Sequence, residues 1–232
     1  MKVFINPGHS ENCKPDPGAT YEGWKEALIA RKISEELAKI LKSHNIDVEL
    51  YQQRNETGED LTANQQLNRV PKKANASKSD IFVSIHLNSS ANRTAKGTET
   101  LYLNGSQKGE KLANLINANL ANHFINRGAK ADVRGLLVLR ATTMTAVLVE
   151  VGFISNLTEI NYINANIHEI AMKIAQGIFQ YFSMNVDEFT QKNKIVLEET
   201  QNGFYNCYVN DILKLKENKL STCLNWIEKN AQ

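Results

Sequence analysis

Cysteine is scarce in this chain. Cys13, Cys207 and Cys223 supply neither the even, closely spaced set of a disulfide framework nor a Cys-x-x-Cys metal knuckle. Cys207 and Cys223 stand near enough in sequence to pair, but two buried free thiols are the expectation. Long apolar runs are missing too: none approaches the ~18 residues of a membrane-spanning helix, so no transmembrane segment is expected. Met1-Lys2 passes directly into Val3-Phe4-Ile5 and Asn6-Pro7-Gly8, with neither the apolar stretch nor the cleavage site of a secretory leader. A surplus of one charge is also absent. Lysine and arginine number 27 against 25 aspartates and glutamates, and a net charge of +2 gives no reason to expect a nucleic-acid partner or an acidic tail. There is no internal repeat and no low-complexity segment.

What is present is an ordinary globular composition, 42% apolar and 22% charged. A length of 232 residues suits one domain of usual size with something small attached, or two small domains.

Val3-Phe4-Ile5 reads as a short strand stopped by Asn6-Pro7-Gly8, which delivers His9 at its carboxyl end. Residues 10–23 are polar and carry Pro15, Pro17, Gly18 and Gly23, so they read as a surface loop. A helix is predicted from Trp24 to His44, with Ala30, Ile33, Leu37, Ile40 and Leu41 on one face. Strands follow at Ile46–Tyr51, Asp80–Leu87 and Thr98–Leu103. Between the first two lies a helix, Leu61–Ala76, interrupted at Pro71, with Lys72 and Lys73 on a solvated face. The Asp80–Leu87 run DIFVSIHL is apolar enough for burial on both faces, as in a parallel sheet, and ends at His86. Further helices are predicted at Lys108–Phe124 and Ile167–Phe182, with an extended segment at Gly135–Leu139. Strands alternating with long helices mean an α/β sheet with helices packed on it. After Ser183 the composition shifts towards Asn, Lys and Glu. There a strand is predicted at Lys194–Leu197 and short helices at Val209–Leu215 and Leu220–Ile227, with Tyr205, Tyr208 and Trp226 read as a small core rather than a carbohydrate-stacking surface.

The stretch Thr145–Asn156, TAVLVEVGFISN, is a buried strand into which one carboxylate, Glu150, is placed near the end. An ionised carboxylate in such a run needs a cation, hydrogen bonds or a wet site. An edge-strand Glu facing solvent is the bland alternative. His9 and His86 also end strands, and the carboxyl ends of strands in an open α/β sheet line a common crevice. Glu26 falls in the first turn of the helix after the His9 loop, near the same edge, although complementing the helix dipole would explain it equally. Two imidazoles and a carboxylate with an open fourth position are a catalytic zinc set, and imidazole favours zinc over magnesium or calcium. Such a zinc would lower the pKa of a bound water and polarise a carbonyl, and a second carboxylate could move the proton. Spacing alone leaves scattered core and surface residues as the competing explanation.

Four blocks together resemble the zinc-dependent N-acetylmuramoyl-L-alanine amidases of the amidase 3 family. They are INPGHS at 5–10 with DPGA at 16–19, EALIARKISEEL at 26–37, DIFVSIHLNSS at 80–90 and AVLVEVGFISN at 146–156. NRVPKKAN at 68–75, GTETLYL at 97–103 and GLLVLR at 135–140 fit as well. The resemblance covers residues 1–183 and implies a mixed, roughly six-stranded sheet flanked by helices. It implies one zinc ion held by His9, Glu26 and His86, with Glu150 as the catalytic carboxylate. Glu26 is chosen over Glu22 because Ile29, Ile33 and Leu37 follow it in the family's helix register. Asn6 stands where the family commonly has Asp and Ser10 where it has Gly, both beside His9.

The implied reaction is hydrolysis of the amide between N-acetylmuramic acid and the stem-peptide L-alanine in peptidoglycan. Asn88 and Arg140 are candidate substrate contacts. A zinc peptidase or carboxypeptidase acting on stem peptides is the alternative enzyme, and a wall-binding protein with a decayed site the non-enzymatic one. Retention of all four candidate residues argues against the latter. Residues 184–232 form a small C-terminal module outside the resemblance, expected to bind the wall, mediate oligomerisation or cap the enzyme. Synthesis in the cytoplasm with action on the wall after release suits a phage or prophage endolysin or a mother-cell autolysin. A secreted autolysin is the remaining role.

Overall fold

A computed structural model describes residues 1–184, 195–199, 205–209, 212–217 and 222. Two compact units divide the chain, Met1–Met184 and Asn185–Gln232. In the first, the strands are β1 (Lys2–Pro7), β2 (Thr20–Tyr21), β3 (Trp24–Lys25), β4 (Asp47–Leu50), β5 (Ile81–Asn88), β6 (Thr98–Leu103), β7 (Asn126–Asp132) and β8 (Thr145–Phe153). The helices are α1 (Glu26–Ser43), α2 (Ala63–Ala76), α3 (Gln107–Leu120), α4 (Leu137–Arg140), α5 (Leu157–Ala165) and α6 (Ile167–Tyr181).

Six strands form one mixed sheet in the order β4-β1-β5-β8-β6-β7. β4, β1, β5 and β8 are mutually parallel, while β6 pairs antiparallel with β8 and carries β7 parallel to itself. The expected α/β sheet flanked by helices is therefore present. Alternation along the strands separates the two faces. Phe4, Phe82, Leu101, Ala146 and Leu148 point to the side where Val70 and Ala74 of α2 and Val138 and Leu139 of α4 pack. α1, α3 and α6 pack together on the other face.

Several elements differ from the sequence reading. α2 runs unbroken through Pro71. A mid-helix proline costs about 3 kcal/mol, here offset by burial of Val70, Pro71 and Ala74 and by a capping box in which Thr62 and Gln65 bond reciprocally. Trp24 and Lys25 precede the helix and pair with Thr20 and Tyr21. Glu22 (φ 47°) and Gly23 (φ 82°) make the tight turn of this hairpin. Of Gly135–Leu139, expected to be extended, Leu137, Val138 and Leu139 lie in the single helical turn α4. β7 and α5 had no counterpart. β7 reads NRGAKAD, without apolar alternation, because it is an edge strand whose Arg127 and Lys130 are exposed.

In the second unit β9 (Ile195–Glu199), β10 (Tyr205–Val209) and β11 (Ile212–Glu217) form an antiparallel sheet in the order β11-β10-β9. The helix expected at Val209–Leu215 is thus the end of β10 and the start of β11. Within the ILKLKE run of β11, Leu213–Lys216 alternates apolar and charged residues at the strand period rather than the helical one. Tyr205 is partly buried and its hydroxyl donates to Glu199 Oε1 at 3.2 Å. The Tyr208 side chain, Trp226, all of Leu220–Ile227 but Thr222, and the Cys207–Cys223 pairing lie outside the described residues. Among the described residues no helix is long and apolar enough to cross a membrane.

Candidate active site

β1 ends at Pro7, and the next residue extends its ladder: Gly8 N donates to Ile85 O at 2.9 Å. His9 then adopts a left-handed φ of 64°, uncommon outside glycine, so its position is imposed by its surroundings. Two glycines leave room for the cluster that follows. A Cβ on Gly8 would collide with the His86 ring. One on Gly18 would lie 2.5 Å from His9 Cδ2 and 2.7 Å from Glu26 Oε2, and Gly18 also holds a φ of +69°. Gln52, 3% exposed, donates to both Gly8 O and Ala27 O at 3.1 Å, tying the His9 turn to the head of α1.

Glu26 opens α1 and is 4% exposed. Its Oε1 lies 3.0 Å from His9 Nε2 and 2.9 Å from His86 Nδ1, and accepts from Leu87 N at 3.1 Å. Oε2 accepts from Ala19 N at 2.8 Å. Burial alone would raise this carboxyl, but the bonds and charges of His86 and His9 outweigh it and hold Glu26 well below the usual range. For His9, burial lowers the imidazole, yet Glu26 and then Asp16 carry it up to about 9. Asp16 Oδ2 sits 2.8 Å from His9 Nδ1, which directs Nε2 at the cluster. One ligand atom from each of His9, Glu26 and His86 lies within 4.8 Å of the other two. The set fits a zinc ion: two imidazoles and a carboxylate on three separate elements, one histidine oriented from behind by an aspartate.

His86, Glu150 and Glu99 occupy one row across β5, β8 and β6, because His86 pairs in register with Glu150 and Glu150 with Glu99. Both β5 and β8 continue beyond these residues, to Asn88 and Phe153, so neither His86 nor Glu150 is the last residue of its strand. Glu150 Oε2 is shielded from water and has no hydrogen-bond partner among the described residues. Burial pushes Glu150 up to about 7, against the opposing pull of His86. Its neighbour Glu99 is neutralised instead, by Arg127 Nε at 2.9 Å and Lys130 Nζ at 2.7 Å.

Of the residues singled out from sequence, His9, Glu26 and His86 come together and Glu150 stands beside them. Glu22 is exposed in the hairpin turn. Asn88 Nδ2 donates to Glu99 Oε1 at 3.1 Å, and Arg140 Nε donates to Gly135 O at 3.1 Å on the exposed end of α4. Neither Asn6 nor Ser10 hydrogen-bonds the His9 ring. Asn6 donates to Tyr51 O and accepts from Ser84 Oγ, both at 2.9 Å, while Ser10 Oγ donates to Gln66 Oε1 at 2.7 Å. Asp16, Gln52 and Glu99 were not singled out. Asp16 stood in the DPGA block, and only its proximity to Nδ1 gives it a role.

Residues 3–180 match the N-acetylmuramoyl-L-alanine amidase family. The chain is 25% identical to the germination-specific N-acetylmuramoyl-L-alanine amidase of Bacillus subtilis, over 80% of this chain and 81% of that one. It is 33% identical to the endolysin of Bacillus phage SPP1, over 78% and 66% of the two chains. Its structure superposes on the catalytic domain of CwlV, an N-acetylmuramoyl-L-alanine amidase from Bacillus (Paenibacillus) polymyxa, with a TM-score of 0.67 at 29% identity, covering 79% of this chain and 99% of that one. It spans only 58% of the probable cell wall amidase LytH of Staphylococcus saprophyticus. With the four sequence blocks, the mixed sheet and the His-Glu-His cluster all in agreement, this chain belongs to the N-acetylmuramoyl-L-alanine amidase family of cell-wall hydrolases.

Proposed function

We propose that the chain hydrolyses the amide between the lactyl group of N-acetylmuramic acid and the L-alanine of the stem peptide. In this reading His9 Nε2, His86 Nδ1 and a Glu26 oxygen hold one zinc ion, and Glu150 is the proton carrier. The observation that carries it is the convergence of those three donors beside a buried carboxylate oxygen that has no hydrogen-bond partner among the described residues. Zinc bound there supplies electrophilic activation of the scissile carbonyl and of water. Asp16 keeps the His9 Nδ1 proton engaged and so fixes which nitrogen faces the site. Ala19 N and Leu87 N fix both Glu26 oxygens. Glu150 Oε2 has the free lone pairs and the near-neutral pKa needed to accept a proton from the attacking water and return it to the departing L-alanine amine.

Residues 184–232 are a separate module in this reading, serving the wall or self-association, which the division at Met184/Asn185 supports. Likeness to a phage endolysin and to a germination-specific amidase supports action on the wall after release from the cytoplasm.

Digestion of purified peptidoglycan, with zinc and then with chelator, followed by mass spectrometry, tests the reading. We expect glycan strands without peptide and free stem peptides beginning with L-alanine, lost on chelation. Cleavage inside the stem peptide would make the chain a peptidase instead.

A further inference from the structure

The scissile amide occupies the cluster, so the stem peptide and the glycan must leave it in different directions. Two cavities lie along this edge of the sheet. One, of about 140 Å³, belongs to the cluster itself: His9, His86 and Asp16 line it together with Leu136, Val138 and Leu148. The other, of about 420 Å³, is lined by Tyr21 of the hairpin, Arg93 and Lys96 of the β5–β6 loop, and the start of α5 through Glu159.

The loop carrying these cations is built into the fold. Ser90 N donates to Ser155 Oγ at 3.0 Å, Asn156 Nδ2 to Ala95 O at 3.2 Å, and Gly97 N to Glu159 Oε1 at 2.7 Å. Glu159, 9% exposed, accepts from Phe153 N at 2.8 Å with its other oxygen, clamping the loop to the end of β8. Arg93 donates to Ser90 O at 3.1 Å and stacks 4.7 Å over the Tyr21 ring. Among the described residues neither Arg93 nor Lys96 makes an ion pair; the Lys96 charge acts on Glu159, whose two oxygens are taken by the Gly97 and Phe153 amides. The neighbouring rim cations are already committed: Arg127 and Lys130 to Glu99, and Arg134 to Asp132.

We propose that Arg93 and Lys96 form a subsite for the free α-carboxylate of the stem-peptide glutamate, the residue after the L-alanine whose amide is cut. This assignment rests on the amidase reading above and adds to it a direction and a charge preference. The reach is right. Thr98, two residues or about 7 Å of chain after Lys96, donates its hydroxyl to Glu150 O at 3.1 Å, and a group two peptide residues beyond the cleaved bond lies about 7 Å away. Tyr21 holds the guanidinium so that little side-chain freedom is lost on binding.

The test uses the zinc-loaded full chain, N-acetylmuramoyl peptides whose glutamate α-carboxyl is free or amidated, and the variant Arg93→Ala/Lys96→Ala. Both side chains are exposed, so their truncation leaves the fold intact. We expect the wild type to prefer the free acid. The double variant should lose about tenfold to a hundredfold in kcat/KM on the acid, chiefly through KM, and change little on the amide. Arg93→Lys alone should retain part of the preference. Equal losses on the two substrates, or a wild type indifferent to amidation, would overturn the subsite while leaving the amidase reading standing. A wild type that frees the L-alanine amine from neither substrate nor from peptidoglycan would remove both.

Discussion

The head of α1 and the carboxyl end of β8 each bring one glutamate to the same site, and the two are treated in opposite ways. Glu26 accepts hydrogen bonds from two backbone amides and has two imidazoles against one oxygen. Glu150, in register beside His86, has a buried oxygen with no hydrogen-bond partner among the described residues. Burial acts upward on both carboxyls, but at Glu26 the donors overcome it and at Glu150 they do not. One carboxylate is thereby kept charged, as the proposed cation ligand must be, and the other is held near neutrality, as the proposed proton carrier requires. Residue type says little about role here; the count of donors says most.

That contrast can be broken at either end. Glu26→Ala should have the largest effect. It leaves the Ala19 and Leu87 amides without their acceptor and removes a ligand, so stoichiometric zinc binding should vanish and stability fall by about 2–4 kcal/mol. Zinc titration and denaturant unfolding measure both, and unaltered zinc content would take Glu26 out of the ligand set. Asp16→Asn is milder. The imidazole keeps its ligand atom but loses its orienting carboxylate, and zinc affinity should drop about tenfold to a hundredfold. An unchanged affinity would mean Asp16 serves only its loop.

Glu150 makes a statement about pH. Its folded pKa is raised to about 7, so without a cation it is mostly protonated below that pH and cannot accept a proton. A bound cation favours the ionised form and moves the value down. The acid limb of kcat/KM should therefore rise about tenfold per unit to a midpoint at or below 7. A midpoint above 7 would assign the limb to another group. The smallest effect is expected at Glu159, a third buried carboxylate, which burial also raises but which two backbone amides fully occupy. Glu159→Gln should cost about 1–2 kcal/mol of stability and leave zinc stoichiometry unaltered. Loss of zinc there would blur the distinction between supporting and reacting carboxylates.

How much of this was legible beforehand follows from the range over which each feature is determined. His9, His86 and Glu150 stood out because each interrupts or ends an apolar strand with a polar group, a local and costly event. Glu26 was visible only as the opening residue of a helix, where dipole complementation explains it equally. The family blocks raised it above that. Asp16 and Gln52 escaped notice because their work is purely spatial: an aspartate in a loop and a glutamine after a strand carry no periodic signature. β7 was invisible for the reason that makes it a safe edge, its charged and small side chains. The β10–β11 pair is hard to read because Val, Ile and Leu suit a short helix as well as a strand, and only Leu213–Lys216 alternates apolar with charged residues.

The most direct test of the two-carboxylate division is Glu150→Gln, with zinc stoichiometry and turnover measured on the same preparation. We expect one zinc ion per chain at wild-type affinity and a kcat reduced about 10²–10⁴-fold. Loss of the zinc would place Glu150 among the ligands, and undiminished turnover would deny it the proton.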